Sequence, residues 1–155
     1  MSSEVFELKV PLVNERPALS ANQRLHWRRK AELVAMVRDS VAWRAREAHI
    51  GAREHIVVRL HFAPQDKRRR DASNLMPTHK AAVDGLVVAG VVRDDTSRWV
   101  TELMPVLHAA DGGARRMWLE VRSLPRMSAE ELAWIDEDHH HKLNADAATW
   151  TEEDR

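Results

Sequence analysis

Apolar and polar residues alternate loosely over residues 4–13, "EVFELKVPLV", and β-branched side chains are frequent there, which predicts a first strand. The period then lengthens. Trp27, Ala31, Val34, Val41 and Ala45 recur at helical spacing, so they are expected to form the core face of a long helix. That helix is expected to run from the capping-box sequence "SANQ" at 20–23 to about Ala48, with Gly51 stopping it. A second strand is predicted at 54–63, followed by a polar, basic loop to Arg70. A second helix is expected to begin near Asn74 to Met76. Asn caps well, and Pro77 is tolerated because first-turn N–H groups have no intrahelical partner. Gly90 is placed to end this helix, and "VVRDDTS" reads as a turn. Residues 98–108 and 115–123 flank "AADGGA", the pattern of a β-hairpin. Pro105 lies within the first of these two strands and predicts an edge position or a bulge. "SAEELAWID", from Ser128, predicts a short capped helix.

The element order β-α-β-α-β-β-α predicts an α/β fold of the α+β type, with a single layer of mixed β-sheet flanked by helices. The chain has 155 residues, the size of one ordinary domain. Residues 1–127 are expected to form it, and 128–155 to add a short helix and an acidic polar tail.

The formal net charge of zero conceals a segregation. Residues 1–127 hold 22 basic and 15 acidic side chains, and residues 128–155 hold 2 and 9. A basic body points to a polyanion partner, or else to an ordinary solvated surface. The chain has no cysteine, which excludes disulfides and thiolate metal sites. Its opening residues, "MSSEVFELKV", do not read as a signal peptide, and no apolar run approaches a membrane span. A cytoplasmic protein without membrane contact is expected.

Chemistry concentrates between Lys67 and Asp95. Four cations, Lys67, Arg68, Arg69 and Arg70, abut Asp71. Lys80 and Asp84 are four apart and share a helix face, and Asp94 and Asp95 follow that helix. Two or three carboxylates suffice for Mg²⁺, a hard cation that keeps several waters. In phosphodiester hydrolysis such an ion activates the attacking water and offsets charge on the phosphate. A nearby lysine can add positive charge to the transition state, and a basic run can hold DNA phosphates against acids that would repel them. Each acid also has a purely local reading. Asp and Asn serve turns and caps, and Lys80 with Asp84 can be a surface pair.

The stretch resembles the signature of the RusA family of Holliday-junction resolvases. That pattern is an Asp-x-Asp-Asn run, then Lys, then Asp-(Ala/Gly)-Leu, Ala-Gly-Val and a final Asp-Asp. This chain has "DASN" at 71–74, Lys80, "DGL" at 84–86, "AGV" at 89–91 and "DD" at 94–95. The early "LSANQRLHW" also resembles the family's N-terminal region. The resemblance spans most of residues 5–123. It implies a Mg²⁺-dependent endonuclease, a homodimer that resolves four-way DNA junctions by symmetric cuts. Asp71 and Asp95 would be metal ligands and catalytic, Lys80 a catalytic aid, and Asp84 and Asp94 further acids available to the metal. Lys67, Arg68, Arg69 and Arg70 would bind DNA. Two departures stand out. About three extra residues, "PTH" or nearby, separate Asn74 from Lys80, and Ser73 replaces the second aspartate. Either Asp84 or Asp94 completes the site, or the chain is a weakened relative that binds branched DNA without cutting it.

Two further groups have bland readings. His139, His140 and His141, beside Asp136 and Asp138, can chelate a transition ion adventitiously, and His79 is expected to face solvent. Of the six tryptophans, Trp99 is the candidate for DNA contact, because it follows the Asp94–Asp95 turn.

Overall fold

The structure is a computed structural model that describes residues 4–124. The helix expected from Ser128, the acidic tail and its histidines lie outside the described residues.

The first apolar run breaks at Pro11. Its first half is strand β1 (Val5–Lys9), and its second half is β2 (Leu12–Val13). Strand β2 turns through Asn14 and Glu15, both at positive φ, into β3 (Arg16–Pro17). Helix α1 (Trp27–Glu47) starts later than the capping box predicts. The Ser20 N–H does donate to Gln23 Oε1 at 3.2 Å, but the backbone around it is bonded elsewhere. Leu19 N–H donates to Thr78 Oγ1, Thr78 Oγ1 donates to Leu19 O at 2.7 Å, and Ala21 N–H donates to Asn74 O. These ties hold 19–21 to the next helix, and His26 caps α1 instead. The core stripe of α1 runs Leu33, Val37, Val41, Ala45, with Ala42 beside it. Val41 and Ala45 are buried as predicted and Val34 packs at the core's margin. Trp27, at 68 % exposed, and Ala31 point outward, because the stripe begins at Leu33. The first left-handed residue after α1 is His49 (φ 52°), ahead of the expected Gly51 (φ 68°), and Ile50 N–H closes onto Ala45 O.

Strand β4 (Ile56–Ala63) is the second predicted strand. A 3₁₀ turn (Ala72–Leu75) leads into helix α2 (Met76–Val88), with Pro77 in its first turn. Gly90 ends α2 at φ 76°, with Val91 N–H bonded to Leu86 O.

The predicted hairpin is not formed. Strands β5 (Val100–Glu102) and β6 (Val106–Leu107) both pair parallel with β4 on one side. Strand β7 (Arg116–Ser123) pairs antiparallel with β4 on its other side, and antiparallel with β1. "AADGGA" therefore carries the chain across the end of β4. The β4 backbone offers a hydrogen-bonding edge on each side, and the two apolar segments take one each. Leu103 to Pro105 interrupt the outer strand, and the edge position expected from Pro105 holds.

The sheet order is β1-β7-β4-β5, with β6 also on β4. Ile56, Val58, Leu60 and Phe62 of β4 and Met117, Leu119 and Val121 of β7 share one core cluster with the buried residues of both helices. A mixed sheet packed against two helices is the architecture expected from the element order. Among the described residues, no helix is long and apolar enough to cross a membrane.

Candidate active site

Helix α2 presents Lys80 and Asp84 on one exposed face, a turn apart. Beyond Gly90, the buried Val91 and Val92 anchor the chain in the core. Arg93 to Thr96 are thereby forced to turn back beside α2. Asp94 Oδ1 accepts the Asp95 N–H at 2.7 Å, which closes the turn. Asp95 is left free to meet Lys80, and their Nζ–Oδ2 distance is 2.7 Å. Lys80 Nζ also stands 3.8 Å from Asp84 Oδ1. One ammonium therefore gathers two carboxylates that lie eleven residues apart in the chain. The hydrogen bond to Asp95 raises the Lys80 pKa, and the charges of Asp84, Asp95 and Glu102 raise it further. The same bond lowers the pKa of Asp95.

Glu102 is the acid that sequence reasoning missed. It closes β5 in register with Val58 of β4, at the edge next to α2. Burial raises its pKa, Lys80 draws it back, and the charges of Asp95 and Asp84 raise it again. Glu102 thus belongs electrostatically to the Lys80 cluster. Its short edge strand, cut off by Pro105, concealed it from the hydrophobic pattern.

His79 also differs from expectation. It is 0 % exposed rather than solvent-facing. The signal was present in the sequence. Leu75, His79, Ala82 and Leu86 follow a three-to-four spacing, which is the core stripe of α2. Pro77 opens the helix, Thr78 ties it to Leu19, and His79 enters the core.

Asp71 is held at its own turn. Its Oδ1 accepts the Ser73 N–H at 3.0 Å and so caps the 3₁₀ turn. This bond and a second from the Ser73 side chain lower the Asp71 pKa, and Arg69 adds to the effect. Ser73 thus serves to hold Asp71. Asp71 lines a cleft of about 570 Å³ together with Arg16, Arg68, Arg69, Arg70 and Arg115.

The basic loop divides by role. Arg70 is 27 % exposed, bridges to Asp66 at 2.7 Å, donates to the Asp66 and Arg68 carbonyls, and lies over the Phe62 ring. It shapes the loop. Lys67, Arg68 and Arg69 are exposed and available to a partner. Trp99 is half-buried against the core, with the guanidinium groups of Arg93 and Arg98 over its ring at 5.6 and 5.3 Å.

The donor set of Asp84, Asp95 and Glu102 is oxygen only, which suits a hard divalent cation such as Mg²⁺. Three carboxylates against a single ammonium leave an excess of negative charge for it to offset. Among the described residues, no three such groups are already drawn into ligand geometry. The chain matches no protein-family model and no curated protein.

Proposed function

We propose that this protein is a Mg²⁺-dependent endonuclease that cuts four-way DNA junctions as a homodimer in the cytoplasm, in the manner of the RusA family. The observation that carries the reading is the Lys80 ammonium held between Asp84 and Asp95, with Glu102 beside it, on an α2 whose N-terminal side carries the exposed cations of the 67–70 loop. Acids that would bind an ion, a lysine that can stabilise phosphate charge and a phosphate-binding loop are the parts such a reaction needs.

The roles follow from position. Lys67, Arg68 and Arg69 bind the strand's phosphates, and Arg70 keeps their loop in shape. Asp95 and Asp84 would provide oxygens for the cation. Asp71, held by Ser73, faces the arginine-lined cleft at the other end of the 3₁₀ turn and orients the strand or its water. Lys80 releases its hold on the carboxylates in part and directs its charge to the scissile phosphate. When bound, Mg²⁺ supplies an activated water and offsets charge on the leaving oxygen.

The test is cleavage of a synthetic four-way junction in Mg²⁺ and in EDTA. Symmetric nicks that need Mg²⁺ and vanish in Asp95→Asn and Lys80→Met support the proposal. Tight junction binding with no nicks under any divalent ion would sink it and leave a binder of branched DNA.

A further inference from the structure

His79 is buried more deeply than its chemistry favours. It is 0 % exposed, and neither ring nitrogen has a hydrogen-bond partner. An unpaired buried polar group carries a desolvation penalty that leucine would avoid at this position. The ring is aimed at the acid cluster, with Nε2 3.8 Å from Glu102 Oε1. The Glu102 side chain is 35 % exposed, so its carboxylate is free to turn. Ser73, meanwhile, is committed to Asp71 and leaves the motif one carboxylate short. Glu102 offers that carboxylate from the neighbouring strand.

We propose that Glu102 is a ligand of the divalent cation and that His79 is its positioning residue. His79 donates Nε2–H to the inner carboxylate oxygen of Glu102, so that the outer oxygen faces the ion. The inference rests on the nuclease reading of this site. Ligating carboxylates are normally held by a second hydrogen bond, and losing such a support weakens metal binding by about 10–100-fold.

The probe is Tb³⁺ luminescence under direct excitation, titrated into the full-length chain. Tb³⁺ is hard and oxygen-seeking, which keeps the histidines of the tail from competing. Glu102→Gln is expected to weaken Tb³⁺ binding by about tenfold or more, and His79→Leu by about tenfold. His79→Gln keeps an N–H donor and is expected to recover most of the loss. Thermal melts establish that each variant is folded, and Glu102→Gln, at the sheet edge, carries the test if a His79 variant is not. Tb³⁺ affinity in Glu102→Gln within about twofold of the parent overturns the proposal, as does a parent that binds no Tb³⁺. Equal losses in His79→Leu and His79→Gln reduce His79 to packing and overturn its role. The two readings separate cleanly. Junction nicking with Tb³⁺ binding indifferent to Glu102 sinks this inference alone. Glu102-dependent binding in a protein that cuts no junction sinks the nuclease reading and leaves the cation site.

Discussion

Lys80 holds two acids with a side chain that is 63 % exposed, so its worth to stability is small. Exposed pairs contribute about 0.2–1 kcal/mol, and Lys80→Met should shift the unfolding free energy by no more than that. Its effect on cleavage should be far larger, because a charge acting on the transition state is not screened in the same way. Denaturant titration and junction nicking, run side by side, check both halves. His79 makes a different prediction. Burial, reinforced by Lys80, lowers its pKa from 6.5 to about 4. The unfolded chain therefore takes up a proton where the folded one does not. Stability from this residue is complete above about pH 6.5 and is lost as pH falls towards about 4. Denaturation midpoints should fall across that window in the parent and fall less steeply in His79→Leu.

Between the helices the contact is tighter than their side chains suggest. A Cβ added to Gly85 would stand 2.5 Å from Arg38 O and 2.9 Å from Val41 Cβ. The backbones of α1 and α2 meet there, and only a hydrogen fits. Gly85→Ala should therefore destabilise by about 1–3 kcal/mol, despite alanine's better helix propensity, and a thermal melt reads the loss. This close approach explains the small residue in "DGL" without reference to catalysis. Much at this scale was legible in the sequence. Strand β4, the basic loop, Pro77 at the start of α2, Gly90 at its end and the break at Pro105 follow from local chemistry. The start of α1 did not, because its decisive bonds run from Leu19 and Ala21 to Thr78 and Asn74, more than fifty residues away. The hairpin failed for a related reason. Two apolar strands and a glycine turn state that each strand needs a partner, but not that both will choose β4. The site shows the same divide. Lys80, Asp84, Asp94 and Asp95 lie along one helix and its turn and were visible together. Glu102 joins them only through a parallel pairing that no local pattern records.

Across the whole molecule, the loop of 67–70 is where charge and architecture meet. Lys67 and Arg69 project freely, and Arg70 is bound to Asp66. Substituting Lys67 or Arg69 with alanine should weaken DNA binding at all sequences and reduce the salt slope by about 1 each, with little change in stability. Arg70→Ala should instead lower the melting temperature and loosen the loop. Salt titrations of DNA affinity, set beside melts, separate the two behaviours. Strand β7 carries a consequence of another kind. It is the last described strand to leave the ribosome, yet it lies inside the sheet, hydrogen-bonded to β1 on one side and β4 on the other. Until residues 116–123 emerge, β1 and β4 each expose an unpaired edge that β7 will fill. From the emergence of Ala63 to that of Arg116 the nascent chain carries two adhesive edges open, which is when holdase chaperones matter most. A chain ended before Arg116 should aggregate rather than fold.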